Sequence, residues 1–294
     1  MDGMILMKIN AQLQENLPAR ISKINSLSDS ELLFTLKGVR GRFLLFISAH
    51  SQFNHIKITS RQYPIPKTPT NFCMLLRKHL ENGIITEVIQ RDLDRYLEFV
   101  IQGHDEIGEK TVHYLFAEVM GKYANVILVN EDRKIMDAIK RIPPFENQRR
   151  TIHPGAMFTY ADQQDKKDPF TETSFDEDLP LTAQFAGFSP LLAREVTYRM
   201  HNGERFSDIM QKIRDSDSLY IYHKNNQLSY HVIELKHLEA EAEVYPLREG
   251  MDQLFNAQEE KERIRQQTGD IFKIVRHELK KNEGKKVKLE ASLE

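Results

Sequence analysis

The sequence has little that would support covalent or metal chemistry. Of its 294 residues only one, Cys73, is cysteine, and it lies in an apolar helical run. No disulfide can form within the chain and no thiolate pair is offered to a metal, which suits a reducing cytoplasm. His-x-x-x-His and Cys-x-x-Cys spacings are absent: His50 and His55 are loosely spaced, and His223 and His231 stand isolated, so no metal site is expected. There is no glycine-rich phosphate loop. Gly38-Val39-Arg40-Gly41 reads as a hairpin turn and His153-Pro154-Gly155 as another turn. Nothing marks a nucleophile, so neither a cofactor nor an enzymatic activity is expected. No apolar run approaches the length of a membrane span, and Met1 to Lys8 has neither the cationic start nor the apolar stretch of a signal peptide. With 41 Lys+Arg against 43 Asp+Glu, a net charge of −2, any binding to nucleic acid must come from a local patch rather than from global attraction.

What is present is an α+β pattern. Ile5, Ile9 and Leu13 form one stripe of a helix near Ile5 to Gln14. Short strand-like runs follow at Ile21 to Ile24, Glu31 to Leu36, Arg42 to Ile47 and His55 to Ile58, separated by turn signals. A helix from about Asn71 to Glu81 stops at Asn82-Gly83. Further runs at Ile84 to Gln90, Leu93 to Gln102, Thr111 to Val119, Asn125 to Val129 and Ile135 to Lys140 complete what reads as two antiparallel sheets in a domain spanning 1–160. Residues 161–180 have the composition of an acidic linker. In 181–250, Ser189 and Pro190 supply the N-cap and N1 of a helix ended by Asn202-Gly203. A second helix at about Arg205 to Ile213 and two strand-like pieces follow. From 251 to 294 the chain is charged, with Ile264, Ile271, Val275 and Leu279 at spacings of seven, four and four. This reads as the first helix of a coiled coil whose second strand is supplied by a partner or by further chain.

Candidate binding residues lie around Asp94 and Arg95. Strict alternation from Leu93 places Arg95 with Leu97, Phe99 and Ile101 on an apolar face, while Asp94, Tyr96 and Glu98 face the other way. A charge at such an edge needs a partner or has a job, and Glu118 and Asp137 are the acids within reach. Arg77, Lys78, Arg91, Lys140, Arg141, Arg149 and Arg150 are further cations beside apolar segments. Converging, they would bind phosphate; scattered, they are an ordinary solvated face.

In order along the chain, Asp2-Gly3, the run Asn71 to Leu80 (NFCMLLRKHL), Leu93-Asp94-Arg95, Met120 to Val129 (MGKYANVILV), Asp137 to Arg141 (DAIKR), His153-Pro154-Gly155, Gly187 to Glu195 (GFSPLLARE) and Glu262 to Gln267 (ERIRQQ) closely resemble the NFACT family. That family takes in the bacterial RqcH or fibronectin-binding protein A-like proteins and the eukaryotic nuclear export mediator factor. The resemblance implies an NFACT-N domain similar to the β-rich N-domain of formamidopyrimidine-DNA glycosylases, a helix-hairpin-helix-like domain, and a coiled coil that continues into a returning arm and an NFACT-R domain. It implies ribosome-associated quality control: binding of an obstructed large ribosomal subunit with peptidyl-tRNA, and recruitment of alanyl-tRNA for untemplated C-terminal tailing. In that role Asp94, Arg95 and Asp2 match the residues that engage tRNA. Relatives usually carry several residues before the Asp-Gly pair, and here only Met1 precedes it, so Asp2 is expected to be mobile. The family's older name makes binding of fibronectin the alternative. A glycosylase activity is not expected, since the chain begins Met1-Asp2-Gly3 and has too few cysteines for a zinc finger.

Overall fold

The computed structural model describes residues 1–146, 150–161, 165–172 and 174–292. It divides into two compact units, Met1–Leu254 and Phe255–Glu294.

The first unit opens with helix α1, Gly3–Gln14, whose N-cap is Asp2 and whose buried face is Met4, Ile5, Leu6, Ile9 and Leu13. Strands β1 (Ala19–Ser26), β2 (Glu31–Gly38), β3 (Gly41–Ser48) and β4 (His55–Thr59) form a meander. Helix α2, Asn71–Leu80, is capped by the Thr70 side chain and buries Phe72, Cys73, Leu76 and Leu80. Asn82 takes a left-handed conformation (φ 67°) and ends the run, as the Asn-Gly signal predicts. A second meander follows: β5 (Ile84–Ile89), β6 (Tyr96–His104), β7 (Lys110–Glu118), β8 (Asn125–Val129) and β9 (Ile135–Ala138).

The two meanders are not separate sheets. They join edge to edge into one nine-stranded antiparallel sheet, ordered β4-β3-β2-β1-β5-β6-β7-β8-β9. The junction is slight, with Ala19 opposite Ile85 and Arg20 opposite Ile84. Pairing of strands distant in sequence leaves no local signature, so two sheets were the natural reading of the pattern. Helix α1 touches both β4 and β5, so the first five strands of the sheet curl around it.

After β9, Phe158 and Tyr160 pack on Tyr96 and Phe116. In the acidic segment, the described residues are tied down: Lys167 N–H donates to Gln184 O, Ala186 N–H to Lys167 O, and Phe175 meets Phe185 and Phe206. Short α3 (Leu181–Gln184) leads to α4 (Pro190–His201), capped by the Ser189 hydroxyl with Pro190 in the first turn, and then to α5 (Phe206–Asp215). A three-stranded sheet, β11-β10-β12, comprises β10 (Ser218–Lys224), β11 (Gln227–His231) and β12 (Glu243–Pro246). The last element, α6, spans Leu247–Glu290. Its apolar residues Ile264, Ile271, Val275 and Leu279 are exposed. Near its start Asp252 takes an ion pair from the fully buried Lys57 at 2.9 Å and a hydrogen bond from Thr59, which ties the first turns of α6 to β4.

Candidate functional site

The residues between β5 and β6 do not continue the strand. Asp92 and Leu93 both adopt left-handed backbone (φ 49° and 53°), and Asp94 N–H closes a turn onto Arg91 O at 2.9 Å. Aspartate tolerates this region, leucine does so only under constraint. The alternation that would have set Arg95 on an apolar face therefore begins only at Tyr96, and β6, deep in the sheet, buries both its faces from Tyr96 to Phe99. Freed from the strand, Asp94 and Arg95 both line one cleft of about 510 Å3.

Stretches far apart in sequence build that cleft: Met1 to Gly3 at the head of α1, Asp92 to Arg95, Met120, Lys166, Ala186 to Leu191, and Leu228 to Tyr230. The Arg95 side chain is exposed and makes no hydrogen bond or ion pair among the described residues. The acids expected to hold it are taken elsewhere. Glu118 binds Arg150 through two hydrogen bonds of 2.8 and 2.5 Å, and Asp137 binds Arg141 through two of 2.8 Å. Asp94 is half-buried, and burial pushes its carboxyl above the usual range while the Arg95 guanidinium pulls it down.

Asp2, for which mobility was expected, is instead buried and held on every side. Its Oδ1 accepts from Met4 and Ile5 N–H at 3.1 Å each, and its Oδ2 accepts from Ser189 Oγ at 2.8 Å and lies 3.1 Å from His231 Nε2. Burial alone would raise its pKa. The His231 imidazole, then the Ile5 amide and the Ser189 hydroxyl, outweigh burial and bring it down to about 2. A depressed carboxylate pKa contributes stability that is complete above the unfolded value of 3.8 and is lost as pH falls through about 2. Asp2→Asn, which keeps the cap but not the charge, should therefore lower stability at pH 7 by on the order of 2 kcal/mol, and the difference from wild type should vanish between pH 4 and pH 2. Urea titrations at a series of pH values measure this; a difference that persists unchanged at pH 2 would contradict it.

The other cations named from sequence do not line this cleft. Arg77 donates to Ile24 O at 2.7 Å and to Asn25 Oδ1 at 2.9 Å, so it secures α2 to β1. Lys78 faces Glu106 at 3.5 Å. Arg91 pairs with buried Glu98 at 3.3 Å, which also binds Arg133 and the Tyr160 hydroxyl. Lys140 Nζ is buried without a hydrogen-bond partner among the described residues, and burial lowers its pKa. Arg141 is held by Asp137. Arg149 lies outside the described residues. Most of these cations serve the sheet, and Asp2, Asp94 and Arg95 alone among the candidates converge.

Sequence reasoning missed His231, Ser189 as a partner of Asp2, Lys166, and the tight contacts made possible by Gly3 and Gly187. A side chain on Gly3 would place Cβ 1.8 Å from Leu93 O, and one on Gly187, itself at φ 78°, 3.0 Å from Leu93 Cβ. Only the polar cluster Arg91-Asp92-Leu93-Asp94-Arg95 hinted at a turn. Among the described residues, no group of three or more His, Cys, Asp or Glu could hold a metal ion, and no helix is long and apolar enough to cross a membrane.

The fold and cleft define a mixed α and β protein built on one large antiparallel sheet, with a charged pocket where the head of the first helix meets a strained turn. The chain belongs to the NFACT family: the model of the NFACT N-terminal and middle domains matches residues 2–294. It is 32% identical over 314 residues to the Rqc2 homolog RqcH of Bacillus subtilis (strain 168), covering 100% of this chain and 55% of that protein. It is also 32% identical over 156 residues to ribosome quality control complex subunit 2 of Saccharomyces cerevisiae, covering 50% of this chain and 14% of that one. The chain thus spans about half the length of its bacterial relative. Among solved structures it is similar to the N-terminal part of the fibronectin/fibrinogen-binding protein from Streptococcus suis, with a TM-score of 0.76 and 29% identity, covering 87% of this chain and 99% of that one.

Proposed function

We propose that this chain works in ribosome quality control as a non-enzymatic tRNA-positioning factor, and that the cleft is where it engages RNA. The exposed guanidinium of Arg95, unpaired among the described residues, beside the half-buried Asp94 carries the reading. A guanidinium with no protein partner binds a phosphate or a guanine edge bidentately, and an adjacent carboxylate accepts from base or ribose donors. Asp2 contributes by holding the cleft in shape, since its oxygens are already occupied. The names of the Bacillus and yeast relatives support the setting. In it, the protein would bind an obstructed large ribosomal subunit with its peptidyl-tRNA and recruit alanyl-tRNA in the cytoplasm for untemplated C-terminal alanine tailing, leaving peptide-bond formation to the ribosome. The helical pair α4 and α5 would serve as a helix-hairpin-helix-like module beside a glycosylase-like β domain, and α6 as the first strand of a coiled coil.

Alanyl-tRNA binding by wild type and by Asp94→Ala/Arg95→Ala, measured by anisotropy at several salt concentrations, tests this. The double variant should lose at least about tenfold in affinity, the worth of one good bidentate contact. Equal affinity refutes the role. The name of the Streptococcus suis protein favours a second reading, binding of fibronectin. Fibronectin capture that survives charge reversal at Arg95 while tRNA binding is lost would place the two activities on different surfaces.

A further inference from the structure

We propose that Gln90 is the positioning residue that aims Asp94 and Arg95 into the cleft, an inference that rests on the cleft being the RNA site. Its side-chain amide nitrogen donates two hydrogen bonds, to Gly3 O at 2.9 Å and to Asp94 O at 2.8 Å. Both partners are carbonyl oxygens, so the amide orientation is fixed by chemistry: only the NH2 end can face them. One side chain thus ties the first turn of α1 to the residue that begins the binding pair. Gln90 does not itself line the cleft, so it acts through the turn rather than on the ligand.

The rest of the turn is built to need such a tie. Two consecutive non-glycine residues in left-handed backbone are strained and persist only where their surroundings over-determine them. Here the surroundings do. Leu93 O sits against Gly3, Leu93 Cβ against Gly187, Asp94 N–H donates to Arg91 O, and Val119 N–H donates to Arg95 O at 2.8 Å. The Gln90 side chain reaches from the edge of the turn to the head of α1, whose own place is set by Asp2, Ser189 and His231. The charged groups here are Arg91, Asp92, Asp94 and Arg95 on the turn, Lys166 and Glu118 acting on Asp94, and Asp2 with His231 and the Met1 amine on the α1 side, while the two carbonyls accept from Gln90.

Two variants separate positioning from mere stability. Gln90→Met keeps length and apolar bulk but has no donor. It should bind alanyl-tRNA about tenfold more weakly, and hydrogen exchange at the Asp94 amide should become faster. Combined with Asp94→Ala/Arg95→Ala it should bind no worse than Asp94→Ala/Arg95→Ala alone, because the contacts that Gln90 aims are then already gone. Gln90→Glu faces two carbonyls with a carboxylate at neutral pH and should be as weak or weaker. Lowering the pH towards 5 protonates that carboxyl, whose pKa the opposing carbonyls raise, and restores one donor, so binding should recover relative to wild type at the same pH. Asp2 stays ionised throughout that range, and the wild-type profile accounts for Asp94. Wild-type affinity in Gln90→Met, a further loss when it is added to Asp94→Ala/Arg95→Ala, or no recovery of Gln90→Glu at low pH would overturn the inference. Wild-type affinity in Arg95→Ala would instead overturn the reading of the cleft, whatever Gln90 does.

Discussion

Gly3→Ala is expected to abolish alanyl-tRNA binding, lowering affinity by about a hundredfold or more, while leaving the sheet intact. The new Cβ would lie 1.8 Å from Leu93 O and 2.9 Å from Gly187 Cα. Both are backbone atoms, so no rotamer change relieves the clash; either the head of α1 or the Asp92-Leu93 turn must move by more than about 1 Å. Either movement breaks the Gln90 tie and swings Arg95. The stability cost should be that of an overpacked site, about 1–3 kcal/mol. That corresponds to a fall of several degrees in Tm for a domain of this size. Gly269→Ala is the matched control. It sits in α6 with nothing within 4 Å of the added Cβ, and alanine there should stabilise the helix by up to about 1 kcal/mol without touching binding. Normal tRNA affinity in Gly3→Ala would show that the turn need not be held where it is.

Arg199→Ala should give the largest loss of stability, about 3–5 kcal/mol, because it strips the partner from a buried acid. The Arg199 side chain is 4% exposed and the Glu195 side chain 0%. Arg199 Nε donates to Glu195 Oε1 at 2.5 Å, Nη1 to both oxygens of Glu204 at 3.2 Å, and Nη2 to Glu234 O at 2.7 Å. One planar guanidinium therefore joins α4 to the turn before α5 and to the segment after β11, and a lysine could not satisfy all three. Burial pushes the Glu195 pKa up; the His237 amide and ring and Arg199 more than offset it. Removing Arg199 leaves the His237 amide and ring and the Lys236 amide to do so. Urea denaturation of Arg199→Ala checks the magnitude. Arg205→Ala serves as the comparison: its ion pair with Asp208 is solvent-exposed, and its loss should leave the unfolding midpoint unchanged. A shift in Arg199→Ala no larger than that would mean that the network adds nothing to stability.

The elements were largely legible because their signals are local. The Ser189 cap with Pro190, the Asn82-Gly83 and Asn202-Gly203 stops, and most strands follow from spacings of a few residues. The candidate site was legible only in part. Asp94 and Arg95 stood out as an oddity of alternation, yet the assumed regular strand put them on opposite faces. The left-handed backbone at Asp92 and Leu93 overrides it, and no leucine announces that conformation. Arg77, Arg91, Lys140 and Arg141 could be read as a phosphate patch or as an ordinary solvated face, because clusters of cations in sequence look alike whether free or paired. In space most of them answer Ile24 O, Glu98 and Asp137 or are buried.

The class of the protein, the run of its helices and strands, its lack of a thiolate or histidine metal motif, and the family whose motifs it carries can all be read along the chain. All of these rest on residues close together in the chain. Tertiary structure alone decided that two meanders are one sheet and that Asp2 is held rather than mobile. It also decided that Gln90, His231 and Ser189 belong to the same site as Asp94 and Arg95. Asp2 and His231 are 229 positions apart, and Gly3 and Gln90 are 87 apart. Contacts over such separations depend on how the whole sheet curls around α1, and no periodicity or motif spacing records that.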